Sequence, residues 1–179
     1  MEKKNQVAVA SQTRYLLNIS NPISREFKMD VMKMNTQGLV KFVLEDKPIS
    51  IHKLHKEDSE KTIDTIMLML IHFQDFYNCK SKMNKSQLED TAMYIISQLR
   101  HLNYYDIALC LKYARLTEKI YDRIDGGMIL EWLTKHDIER TGLIVQEREK
   151  QKAQNNAEWS ALGERTSEMT IKNFLKKES

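Results

Sequence analysis

Five glycines and two prolines in 179 residues leave this chain few places to turn sharply. A fold of many short strands needs turn residues every few positions, whereas a helix needs only a cap at each end. The scarcity points to helices, and hydrophobic spacing agrees. Ile63, Ile66, Met67, Leu70, Phe73 and Tyr77 recur at the interval of one helix face within 59–77. Leu68, Met69 and Ile71 widen that face almost all round, as expected of a central helix in a bundle. Ten methionines supply flexible filler for such a core.

Further helices follow from caps and spacing. Residues 6–18 read as a helix ended by Asn21-Pro22, and Ser24 is placed to cap a short helix in "SREFKMDVMKM". Ser86, three residues before Glu89, has the spacing of a capping box ahead of Leu88, Ala92, Ile95, Ile96, Leu99 and Leu102. Asn103 and Asp106 repeat that pattern before a helix over 104–116. One region departs from the helical period. "LVKFVLEDKPISIHKL" has β-branched and aromatic residues on both sides of Glu45–Pro48, which predicts a small β-hairpin at 39–54. The fold class expected is mainly α: a four- or five-helix bundle with that hairpin and an extended C-terminal helix or tail. Residues 1–146 form the helical domain and 147–179 an extended or disordered tail, because "EREKQKAQNNAEWSALGERTSE" is polar with few anchors.

The motif most suggestive of chemistry is "DRIDGGMILEWL" at 122–133. A phosphate loop needs several glycines after a strand so that backbone N–H groups converge on an anion. Here the glycines follow "LTEKIYDRI", a helical pattern, and no Walker lysine accompanies them. A calcium loop needs carboxylates at alternate positions, and Asp122 and Asp125 are three apart. The stretch reads as a joint: Asp125 caps a helix with Ile129, Trp132, Leu133 and His136 facing inward, and the glycines allow a tight turn.

His52 and His55 near Glu57 and Asp58 have the spacing to share a metal on a helix, but no second ligand pair accompanies them, so no metal site is assigned. His101 and His136 read as core histidines, and Cys79 and Cys110 as buried free thiols of a reducing compartment. There is no Gly-x-Ser-x-Gly elbow, no His-Glu-x-x-His and no Cys-x-x-Cys. The reading is a protein that is not an enzyme and needs no cofactor. "MEKKNQVAVASQ" lacks the apolar core of a signal peptide, and the longest apolar run falls short of the ~20 residues of a membrane span. A cytoplasmic protein with no membrane partner is expected.

A net charge of +3 permits nucleic acid without calling for it. The helices 87–102 and 104–116 have the outline of a helix-turn-helix, whose second member carries interleaved basic and aromatic residues, beginning with Tyr104 and Tyr105. Lys112, Tyr113, Arg115, Lys119 and Arg123 are the nucleic-acid-binding candidates, through phosphate contacts and base stacking. Bundle packing is the competing explanation for the tyrosines. In the tail, Trp159 and Leu162, then Ile171, Phe174 and Leu175 beside lysines, form two apolar clusters suited to a partner's groove. A terminus docking on its own domain accounts for them equally.

"QLRHLNYYDIALCLKYARLTEKIYDRIDGGMILEWLTKHDIER", residues 98–140, resembles a group of small helical proteins of Bacteroidetes phages and mobile elements, carried by "YDRIDGGMILEWL" and the closing "ER". The plan of helical domain plus loose tail is similar to phage helicase loaders. The resemblance implies a mobile-element setting and an accessory role in DNA replication, with a replication protein as partner. Two alternatives stay open: a protein-only adaptor or structural phage component, and a helix-turn-helix regulator.

Overall fold

A computed structural model describes residues 24–120 and 122–175, with side chains through Trp159. Seven helices stand among the described residues, against the four or five expected: α1 Arg25–Lys33, α2 Thr36–Glu45, α3 Ile51–Glu57, α4 Ser59–Asp75, α5 Lys85–Gln98, α6 Tyr104–Thr117 and α7 Gly126–Leu175. The fold is mainly α. The helix expected at 6–18 lies outside the described residues.

The caps account for most boundaries. Ser24 Oγ accepts from the Phe27 N–H at 3.1 Å, and Asp58 Oδ1 from the Lys61 N–H at 3.0 Å. Asn103 and Asp106 form the expected capping box at the start of α6. Asp125 Oδ1 accepts from the Met128 N–H at 3.0 Å, as the joint reading requires. The box that opens α5 is a correction. It is built from Asn84 and Gln87, not Ser86 and Glu89, and starts the helix earlier.

The hairpin expected at 39–54 is replaced by α2 and α3. Asn35 caps α2 by accepting from the Gly38 N–H at 2.7 Å, and Leu39 and Val40 then turn to the core with Phe42 and Val43 against it. Those residues have strand propensity, but one apolar face and a good cap decide the matter. Lys47, with φ at 48°, and Pro48 separate the two helices. The first N–H groups of α3 are satisfied across the fold: Ile51 donates to the Leu102 carbonyl at 2.7 Å and His52 to that of Arg100 at 3.3 Å.

Helix α4 packs against α3, α5 and α6, and α6 additionally against α1 and α2, so these two helices are the centre of the core. Phe73, Leu70 and Ile66 of α4 and Ile107 and Leu109 of α6 are fully buried. The polar connector 79–83 is held down by Gln74, whose Oε1 accepts from the Met83 N–H at 3.1 Å while its Nε2 donates to the Met83 carbonyl at 3.4 Å. Ser81 and Arg123 form one parallel β-bridge beside it. Gly126 is required for a reason other than a turn. Its φ is not positive, but a Cβ there would overlap Thr91 Oγ1 of α5.

The chain divides into two units, 1–140 and 141–179. Helix α7 contributes to both. In the second unit the tail is helical through Leu175 rather than irregular, and no described residue from Val145 to Trp159 is buried.

Candidate functional site: an apolar groove with a basic rim

Helices α1 and α4 both pack on α6 and leave a groove between them, about 510 Å³ in volume. Ala108 and Leu111 of α6 line it with Phe27, Val31 and Met32 of α1 and Met69, His72 and Phe76 of α4. Three large apolar side chains in it face solvent: Met32 is 68% exposed, Phe76 63% and Leu116 73%. Exposed apolar groups gathered in one concavity, rather than scattered, make this groove the candidate binding surface. Lys28, His72, Lys112 and Arg115 complete the lining, and among the described residues no carboxylate belongs to it.

Two of these basic side chains, Lys112 and Arg115, shape the groove. Lys112 Nζ donates to the carbonyls of Val31, Met32 and Met34 at 3.2, 3.0 and 2.8 Å, closing the C-terminal end of α1. Arg115 donates from Nη2 to the His72 carbonyl at 3.0 Å near the end of α4. Its guanidinium lies 5.5 Å from the Phe73 ring centre and 5.0 Å from that of Phe76. Burial pulls Arg115 below its ordinary pKa while the Tyr77 hydroxyl opposes the shift; a guanidinium remains charged at neutral pH regardless. Each cation sits on the negative end of a helix dipole, where positive charge is favourable. Lys112→Met therefore leaves three carbonyls without their donor and is expected to cost about 1–3 kcal/mol. Urea denaturation checks this, and a loss below about 0.5 kcal/mol would mean that water replaces the ammonium without cost.

The five nucleic-acid candidates are thus dispersed. Lys112 and Arg115 meet at the groove, both engaged with helix ends. The Tyr113 hydroxyl accepts from the Thr36 N–H at 3.3 Å. Lys119 is exposed beyond α6, and Arg123 pairs with Asp125 at 3.1 Å. Neither of the last two lines the groove. Tyr104 and Tyr105, which a recognition helix would present, are core residues at 2% and 4% exposure. Of the tail candidates, Trp159 is 75% exposed. Leu162, Ile171, Phe174 and Leu175 lie in α7 at positions whose side chains are outside the described residues.

A second cleft of about 460 Å³ is lined by Cys110, Tyr113, Trp132, Lys135, His136 and Glu139, with others. Cys110 cannot serve there as a nucleophile. Burial, helped by Asp106, pushes its thiol up to about 12, so almost no thiolate exists at neutral pH. Cys79 is half-buried rather than buried. Beneath this cleft His136, Arg140 and Asp106 form a closed cluster, with Asp106 Oδ1 2.6 Å from Arg140 Nε and 3.5 Å from His136 Nε2. His101 is not in the core; it is exposed and sits 2.6 Å from Asp137. Among the described residues no group of histidine, cysteine and carboxylate side chains could hold a metal, and no helix is long and apolar enough to cross a membrane.

Sequence reasoning missed the groove. Its signal was present in apolar residues that fall off the core-facing stripes, namely Met32, Phe76 and Leu116. Compared with known protein families, curated proteins and solved structures, the chain matches none.

Proposed function

We propose that the protein is a non-enzymatic interaction module that receives an amphipathic helix of a partner protein in the α1/α4/α6 groove. The observation that carries this reading is the gathering of Met32, Phe76 and Leu116, all exposed, along one apolar channel between two helices. Helix-in-groove recognition needs such a channel and anchors spaced one helical turn apart on the ligand. Methionines in the walls suit it, since they repack around different anchors. The buried, protonated Cys110 supports the non-enzymatic part. In the mobile-element setting implied by residues 98–140, the partner is a replication protein. Trp159, exposed on α7, favours the tail as a second holding point.

Titration of the full chain into a fluorescein-labelled amphipathic helical peptide with leucine anchors and uncharged flanks tests the groove. Leu116→Asp is expected to weaken binding by about tenfold or more, because it places a charge in a desolvated contact. As Leu116 is 73% exposed, the thermal midpoint should stay unchanged. Equal affinity of the variant and the unaltered chain would overturn the reading.

A further inference from the structure

Resting on that reading, we infer that the partner helix is acidic: apolar anchors fill the groove, and carboxylates on its flanks meet Lys28, His72 and Arg115, with the Lys112 ammonium adding positive potential alone because its three donors are taken. The argument is one of charge and order. Four basic side chains line the channel, with no carboxylate beside them among the described residues. A basic helix would bring like charges into a partly desolvated site, whereas an acidic one finds complementary potential on approach. Two of the four basic side chains are held in place before any ligand arrives. Lys112 is fixed by three carbonyls, and Arg115 is fixed over two aromatic rings. Little side-chain freedom is then lost when a carboxylate docks. The guanidinium carries five N–H donors, and the Nη2 contact to the His72 carbonyl takes up one of them. Nucleic acid shares the negative charge but fits the channel less well. Its bases need open aromatic platforms, but of the two rings in the lining Phe27 is buried and Phe76 carries the Arg115 guanidinium over its face, and Val31, Met32, Met69, Leu111 and Leu116 are aliphatic or thioether surfaces.

Three labelled peptides of about 16 residues, long enough to populate a helix, share the same leucine anchors and differ only in flanks of glutamate, glutamine or lysine. Binding to the full chain is read by fluorescence anisotropy. The glutamate peptide is expected to bind about tenfold tighter than the lysine peptide, with glutamine between, and the gap should narrow as salt rises from about 50 to 300 mM. Lys28→Glu, at an exposed position, should weaken the glutamate peptide about threefold and leave the glutamine peptide unchanged. Equal binding of all three, or preference for lysine, overturns the acidic assignment while the groove reading stands. Failure of every peptide overturns both. Displacement of the glutamate peptide by a thymidine oligonucleotide of about 16 nucleotides would assign the cations to nucleic acid instead.

Discussion

Asp106→Ala is expected to destabilise the protein by about 3–5 kcal/mol, the largest single-residue effect associated with charge. Asp106 is fully buried, and Arg140 and His136 are 5% and 6% exposed. Its two oxygens do different work. Oδ2 accepts from the Asn103 N–H at 2.9 Å and completes the cap of α6. Oδ1 faces Arg140 Nε at 2.6 Å, a close electrostatic contact rather than an aligned hydrogen bond. Alanine leaves a guanidinium sealed from water without its counter-charge and opens the cap as well. For a chain of this size the thermal midpoint should fall by roughly 10 °C. Replacing both partners, as in Asp106→Leu with Arg140→Met, should recover most of the loss, since the expense lies in the orphaned charge. A loss under about 1 kcal/mol for Asp106→Ala would mean that water reaches the cluster.

Phe73→Ala is expected to cost about as much, roughly 3–5 kcal/mol, by a different route. The ring is fully buried at the meeting of α4, α6 and α7. It packs edge-on against Tyr77 at 5.3 Å and Trp132 at 5.8 Å, with the Arg115 guanidinium at 5.5 Å. Alanine opens a cavity that these rigid neighbours cannot fill by collapse. Phe73→Leu keeps most of the volume and loses the ring edges, so it isolates the aromatic part, about 1 kcal/mol per pair. Urea denaturation followed by tryptophan emission reports both stability and the surroundings of Trp132. An unchanged midpoint for the alanine variant would place the centre of the core elsewhere.

Much of the helical plan was legible because it rests on local chemistry. Ser24, Asn103 and Asp125 each announce a helix start, and each caps one. The 59–77 pattern marked α4 as central, and eight of its residues are buried. Where two local rules compete, reading fails. Residues 39–54 carry strand-forming side chains, yet Asn35 and Ser50 cap helices there. At α5 both Asn84 and Ser86 have a glutamine or glutamate three residues on, and only packing chooses between them. The site was least legible, for it depends on pairs remote in sequence. Lys112 and Arg115 were singled out as cations of α6, but the carbonyls they hold are far along the chain. No spacing rule links Asp106 to Arg140.

The anchoring of α1 by Lys112 bears on how the chain is made. Lys112 lies 81 residues after Val31, the first carbonyl it holds. At about 5–20 residues per second, synthesis leaves α1 without its tether for roughly 4–16 s. During that interval Phe27 and Val31 have no α6 to bury them, while α3, α4 and α5, neighbours in sequence, can already associate. The helix that walls the groove is therefore made early and secured late, so the groove is among the last features the nascent protein acquires.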